Sequence, residues 1–236
     1  MRKDILAALN LARHGGRASV RALDLDSGEE QLIDPANPVS ELDRAAAAAA
    51  RADKSGPVQI DGKTLFLSVY NPPLDLAIIG AVHIAQPLAR MATMTGYGVR
   101  IIDPRTAFAT EGRFPGITLS HDWPDEALEK LPLGPRSALV ALTHDPKLDD
   151  PALSAALRSS AFYVGALGSK KTHAARLARL KELGFTDTEL ARIRGPIGLD
   201  IGARSPAEIA ISVLAEMTLK LRADGGWELS AIRAKA

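Results

Sequence analysis

The sequence predicts an α/β chain: a doubly wound parallel sheet with helices on both faces, preceded by a small α+β unit. Three observations carry this. Residues 75–79 form an apolar strand that runs into Gly80 and a helical stretch, and a second apolar strand, 99–102, ends in Asp103. Apolar strands and helical segments then alternate as far as residue 222, a pattern that builds a mainly parallel sheet covered on both faces. Asn71, Pro72 and Pro73 separate this run from a differently ordered front part, since two consecutive prolines continue neither helix nor strand. The expected domains are 1–72 and 73–236.

In the front part, Ile5, Leu6, Leu9 and Leu11 predict a helix stopped at Gly15 and Gly16. Residues 17–25 alternate as a strand, and Asp26, Ser27 and Gly28 turn it back toward 31–33. Residues 41–52, with six consecutive alanines at 45–50, read as a helix. Segments 58–60 and 64–70 form a hairpin about the Asp61-Gly62 turn.

Beyond the prolines, the first helix is expected to start near His83 or Ile84, because Pro87 is tolerated only in a first turn. Gly96 and Gly98 end it. A short helix follows at 123–131 and a buried strand at 137–142. Asp150 is expected to cap the next helix, with Pro151 in its first position. A strand at 161–164 leads through Gly165 and Gly168 into a helix from Lys170 to about Leu183. Thr186 with Glu189, and Ser205 with Glu208, have capping-box spacing. Ile209, Val213, Leu214, Met217 and Leu221 give the last helix, 206–222, its apolar face.

Composition removes several function classes. Hydrophobic residues at 46% and charged residues at 24% describe an ordinary globular protein. A net charge of +1 gives no bulk attraction to nucleic acid or anionic lipid. Apolar runs fall short of the roughly 18–20 residues that span a bilayer, and the N-terminus reads as an amphipathic segment rather than a signal peptide. With no cysteine in the sequence, disulfides, thiolate metal sites and cysteine nucleophiles are excluded. The expected location is cytoplasmic.

Ligands of open parallel sheets collect at the carboxyl ends of strands. Four polar loops are expected there: Gly80-Ala81-Val82-His83, Asp103 to Arg105, Thr143-His144-Asp145, and the stretch from Gly165 to Lys171. The first two belong to a βαβ unit with Rossmann-like layout, the acid lying near the ~20-residue spacing of a ribose contact. Val82, however, stands where the dinucleotide fingerprint has its second glycine, and a β-branched side chain obstructs a pyrophosphate. Weak or absent NAD(P) binding is expected. His144 and Asp145 could supply a hydrogen-bond pair or proton relay. The Gly168-Ser169-Lys170-Lys171 turn lacks Walker A spacing, yet two lysines in a first turn oppose the helix dipole and suit an anion. The alternative for that turn is a solvated basic face continuing through His173, Arg176, Arg179 and Lys181. Asp200, in the glycine-spaced loop 195–203, either is satisfied by backbone amides or faces the cleft.

Five groups of segments occur in a specific order: 80–86 (Gly-Ala-Val-His-Ile-Ala-Gln); 102–105 (Ile-Asp-Pro-Arg) with 108–110 and 113–115; 142–145 (Leu-Thr-His-Asp); 163–170 (Tyr-Val-Gly-Ala-Leu-Gly-Ser-Lys); and 195–203 running into 205–208. In them, residues 74–222 closely resemble the C-terminal Rossmann domain of the XdhC/CoxI (CoxF-like) family, maturation factors of molybdenum hydroxylases such as xanthine and carbon monoxide dehydrogenases. The resemblance implies a cofactor-insertion chaperone rather than an enzyme. Such a protein binds molybdenum cofactor (molybdopterin), protects it or assists its sulfuration, and delivers it to a molybdenum hydroxylase apo-enzyme. A sulfurase is a further implied partner, and a homodimer the implied state. The strand-end residues Gly80, Ala81, Val82, His83, Asp103, Arg105, Thr143, His144, Asp145, Gly165, Gly168, Ser169, Lys170, Lys171 and Asp200 are then the expected cofactor contacts. Longer relatives carry a Gly-Gly-Cys segment that this cysteine-free sequence lacks. The competing classes are a nicotinamide-dependent oxidoreductase with a degenerate site and a non-catalytic docking scaffold.

Overall fold

The computed structural model describes residues 1–222. The chain divides into two compact units, Met1–Pro72 and Pro73–Ala236. The first contains α1 (Lys3–His14), β1 (Ser19–Asp24), β2 (Glu30–Ile33), α2 (Glu41–Ala52), β3 (Gly56–Ile60) and β4 (Lys63–Tyr70). Its strands form an antiparallel sheet in the order β2-β1-β4-β3. Ser40 and Asp43 close a capping box at the start of α2. The alanine run has a packing use: Ala46 and Ala50 lie against Val20, Ala22, Ile33 and Leu67, where small side chains let helix and sheet approach closely.

The second unit contains β5 (Leu74–Ile79), α3 (Ala85–Met94), β6 (Tyr97–Ile102), β7 (Thr118–Ser120), α4 (Pro124–Lys130) and β8 (Ser137–Ala141). It continues with α5 (Pro146–Arg158), β9 (Tyr163–Ala166), α6 (Lys170–Glu182), α7 (Asp187–Leu190), β10 (Ile193–Arg194) and α8 (Pro206–Arg222). Six strands pair in parallel in the order β10-β9-β8-β5-β6-β7. This is the doubly wound α/β sheet the sequence predicts. Alternation along each strand feeds two apolar layers. Leu76 and Ile78 of β5 and Val140 of β8 join the layer with α3 and α8, whereas Ala77, Ile79, Leu139 and Ala141 join the layer with α4, α5, α6 and α7. No helix among the described residues is long and apolar enough to cross a membrane.

Two expectations are corrected. The helix expected after Asp150 starts at Pro146: Asp145 is its cap and accepts the Lys147 amide at 3.0 Å, and Pro151 lies inside the helix. Two Asp-Pro signals compete here, and the earlier wins because its Asx turn leads directly from the end of β8. Strand β9 begins at Tyr163, so Gly165 lies within the strand, not in the loop after it. Its missing Cβ would meet Ile197 Cδ1 at 2.6 Å and Tyr163 Cε1 at 2.7 Å, so this glycine serves packing rather than approach to a ligand. The edge strands β7 and β10 carry too few residues for alternation to reveal them.

Candidate functional site

The strand order reverses between β5 and β8, whose outgoing helices α3 and α5 join opposite apolar layers, so a crevice forms outside their carboxyl ends. Gly80 ends β5 with φ +100°, a conformation that favours glycine. A Cβ there would lie 2.3 Å from Thr143 Cγ2. The two strand-end turns at the switch point therefore touch, and only glycine permits it.

The next residue fixes the acid of β6. Ala81 N donates to Asp103 Oδ2 at 2.8 Å. Arg105 donates to Asp103 from Nε at 2.9 Å, from Nη2 at 2.8 Å and from its backbone amide at 3.0 Å. Burial pushes the Asp103 carboxyl up, but the hydrogen bonds from Arg105 and Ala81 outweigh it and hold the group below its ordinary range. Asp103 has no exposed surface, and its oxygens are committed to the loop, leaving no face for a ribose in this arrangement. Arg105 remains partly exposed and stacks over Phe108 at 4.8 Å. Val82 is partly buried against the layer beneath α3, while His83 is exposed. Helix α3 then starts without a side-chain cap.

On the other side of the crevice, Thr143 Oγ1 accepts the Asp145 amide at 3.0 Å and donates to Asp149 Oδ1 at 2.6 Å. His144, between them, is exposed and has φ +65°, unusual for a side chain with a Cβ. Asp149 is 1% exposed, and burial drives its carboxyl above the usual range despite the Thr143 bond and the Arg176 charge. Arg176, also 1% exposed, reaches Asp149 Oδ2 at 3.5 Å and donates to Leu167 O at 2.8 Å. A buried polar chain thus ties the 143–145 loop to the turn after β9. In that turn Gly168 has φ +142°, Ser169 caps α6 by accepting the Thr172 amide at 3.2 Å, and Lys170 and Lys171 are exposed in the first turn.

Eleven of the fifteen site residues read from the sequence fall into three groups. Gly80, Ala81, Asp103, Arg105, Thr143 and Asp145 are joined by direct contacts at the switch point. Gly168, Ser169, Lys170 and Lys171 form the turn tied to them through Arg176 and Asp149. Asp200 is exposed in the 195–203 loop, and no hydrogen bond or ion pair joins it to the other two groups among the described residues. That loop is held by Glu216, which accepts the Gly198 amide at 2.8 Å and the Tyr163 hydroxyl at 2.6 Å. Burial and the Glu216 charge raise the Tyr163 hydroxyl well above its ordinary pKa.

The sequence alone did not reveal Asp149, Arg176 and Glu216 as buried groups, and Arg176 entered only in the alternative of a solvated basic face. A signal existed. Arg176 shares a helical stripe with buried Leu180, and Asp149 shares one with Ala152, Leu153 and Ala156.

The XdhC Rossmann domain model matches residues 76–217. The molybdenum cofactor insertion chaperone PaoD of Escherichia coli is 35% identical over 148 residues, 63% of this chain and 40% of that protein. A probable xanthine dehydrogenase subunit of Bacillus subtilis is 32% identical over 154 residues, 65% of this chain and 44% of that protein. YqeB of Escherichia coli, described as uncharacterized, is 32% identical over 166 residues, 69% of this chain and 30% of that protein. The chain spans less than half the length of these curated relatives. Among solved structures, a protein described as a xanthine dehydrogenase from Bacillus halodurans shares the fold, with a TM-score of 0.66 at 24% identity over 96% of this chain and 67% of that one.

Proposed function

The chain belongs to the XdhC Rossmann-domain family, and from that premise we propose that it is an accessory protein of molybdenum hydroxylases. It holds molybdenum cofactor in the crevice between the ends of β5 and β8 and passes it to an apo-enzyme of the xanthine dehydrogenase type. The single observation that carries the reading is the polar lining of that crevice at the reversal of strand order, in a chain related to a molybdenum cofactor insertion chaperone.

The residues fit such a group. Its anionic pterin phosphate needs cationic and amide donors, and exposed Lys170 and Lys171 supply cations in the first turn of α6. Exposed His144 offers a ring nitrogen at the rim. Asp145 and Asp103 act behind these groups, by capping α5 and by fixing the 80–82 turn. With no cysteine in this sequence, persulfide chemistry is assigned to a separate sulfurase. Two copies assemble as a homodimer in this reading.

The test is to purify the full chain from a host that makes the cofactor and to assay its molybdenum and pterin. Both are expected to copurify, and His144→Ala is expected to lower both without loss of fold. A deletion strain should yield client enzyme that is folded but short of molybdenum. A preparation free of pterin, together with a fully loaded client in the deletion strain, would overturn the reading.

A further inference from the structure

We propose that Thr143 is a positioning residue: its hydroxyl, seated between Asp149 and the Asp145 amide, holds His144 in a left-handed backbone conformation that presents the imidazole to the crevice. Among the described residues, only Asp53, Asp61 and His144 combine a positive φ with a side chain. The two aspartates are accounted for by local turns. Asp53 ends α2 and Asp61 sits in the β3–β4 hairpin turn, and aspartate visits this region routinely as a single residue. His144 is different. It stands between β8 and α5 at the switch point, and it is exposed. Glycine would take φ +65° at no steric cost, so a histidine there is strain that its surroundings must hold.

The contacts show what holds it. Thr143 Oγ1 donates to Asp149 Oδ1 at 2.6 Å and accepts the Asp145 amide at 3.0 Å, so one oxygen fixes the residues on both sides of His144. Asp145 is fixed again from its other end: its carboxylate accepts the Lys147 amide at 3.0 Å, and its carbonyl accepts the Asp149 amide at 2.8 Å. The Thr143 methyl lies on the far side, where a Cβ on Gly80 would collide with it. Neither neighbour can rotate to relax His144 without giving up a hydrogen bond or pressing on Gly80. The acceptor is itself anchored, since Asp149 is buried with Oδ2 3.5 Å from Arg176 of α6. The His144 charge is among those that oppose the burial-driven rise of the Asp149 carboxyl, so ring and carboxylate are electrostatic neighbours. Hydroxyl, carboxylate and imidazole form one unit, of which the histidine is the exposed member.

The positioning stands on these contacts; that the imidazole then meets a pterin cofactor rests on the proposed function. Three measurements on the full chain test it. In urea unfolding, glycine holds this φ more cheaply than alanine, so His144→Gly should have an unfolding constant about fivefold smaller than His144→Ala. In NMR, the strong NOE between its own amide and Hα that a positive φ gives His144 should appear in the parent and in Thr143→Ser, which keeps the hydroxyl. It should weaken in Thr143→Val, which keeps the methyl. Pterin copurified from a host that makes the cofactor should fall about tenfold in Thr143→Val, the size of one lost hydrogen bond, and recover in large part in Thr143→Ser. If Thr143→Val does not fold, Thr143→Ala takes its place, because it leaves room for a water beside Asp149. Equal stability of the glycine and alanine variants, or an unchanged His144 NOE without the hydroxyl, would overturn the positioning. So would full pterin retention in a variant whose NOE is lost. A parent free of pterin would overturn the cofactor reading instead, and the first two measurements would then decide the positioning.

Discussion

Asp103 shows how one side chain can organise a site without facing the ligand. It joins the end of β6 to the Ala81 amide and to Arg105, and it does so as a carboxylate fully removed from solvent. Replacing it by Asn leaves Arg105 without its ion pair and removes one acceptor from the loop. We expect a loss of about 2–3 kcal/mol, discounted for the partial exposure of Arg105. The pH dependence has a definite sign. Asp103 has a lowered folded pKa, so its contribution is present above the ordinary carboxylate range and vanishes as pH falls through the lower folded value. Asp149 acts oppositely: its raised folded pKa makes its ionised form a cost, relieved on acidification. Urea unfolding of the parent and Asp103→Asn at a series of pH values should show their difference shrinking below about pH 4. A difference constant with pH would place the effect in packing rather than in the charge.

At the scale of an element, the start of α5 matters because it sets the 143–145 loop. Asp145 caps the helix while its own amide is held by Thr143, so the cap and the crevice wall are one structure. Asp145→Ala should cost about 1 kcal/mol in thermal or urea unfolding and speed hydrogen exchange in residues 147–149. Asp150 has another task, a two-bond ion pair with Arg179 of α6 at 2.6 and 2.9 Å. If Asp150→Ala rather than Asp145→Ala loosened the first turn, the cap assignment would be wrong. Helix α6 illustrates the converse. Its start at Lys170 and its length were legible, but the direction of Arg176 was not, because a charge in a basic stretch reads as solvated until its partners across the chain are known.

At the scale of the molecule, both apolar layers of the parallel sheet draw every buried member from residues 74–217, and the core of the antiparallel sheet draws its members from 20–67. Each unit therefore has its own apolar interior. Residues 73–236 produced alone should unfold in one cooperative urea transition. A broad, non-cooperative transition would show that the second unit depends on the first.

Local chemistry determined much of this by itself: the βαβ pattern, the proline break at 72–73, the capping boxes at Thr186 and Ser205, and the polar strand ends. Each follows from periodicity or from a hydrogen bond between near neighbours in the chain. Tertiary structure alone decided the strand order that places Gly80 against Thr143, the withdrawal of Asp103 from solvent, and the pairing of Asp149 with Arg176. These depend on groups far apart in sequence that share one desolvated space. A side chain's type does not record whether the chain will later supply its partner, so burial, pKa direction and the shape of the crevice emerge only when the sheet is assembled.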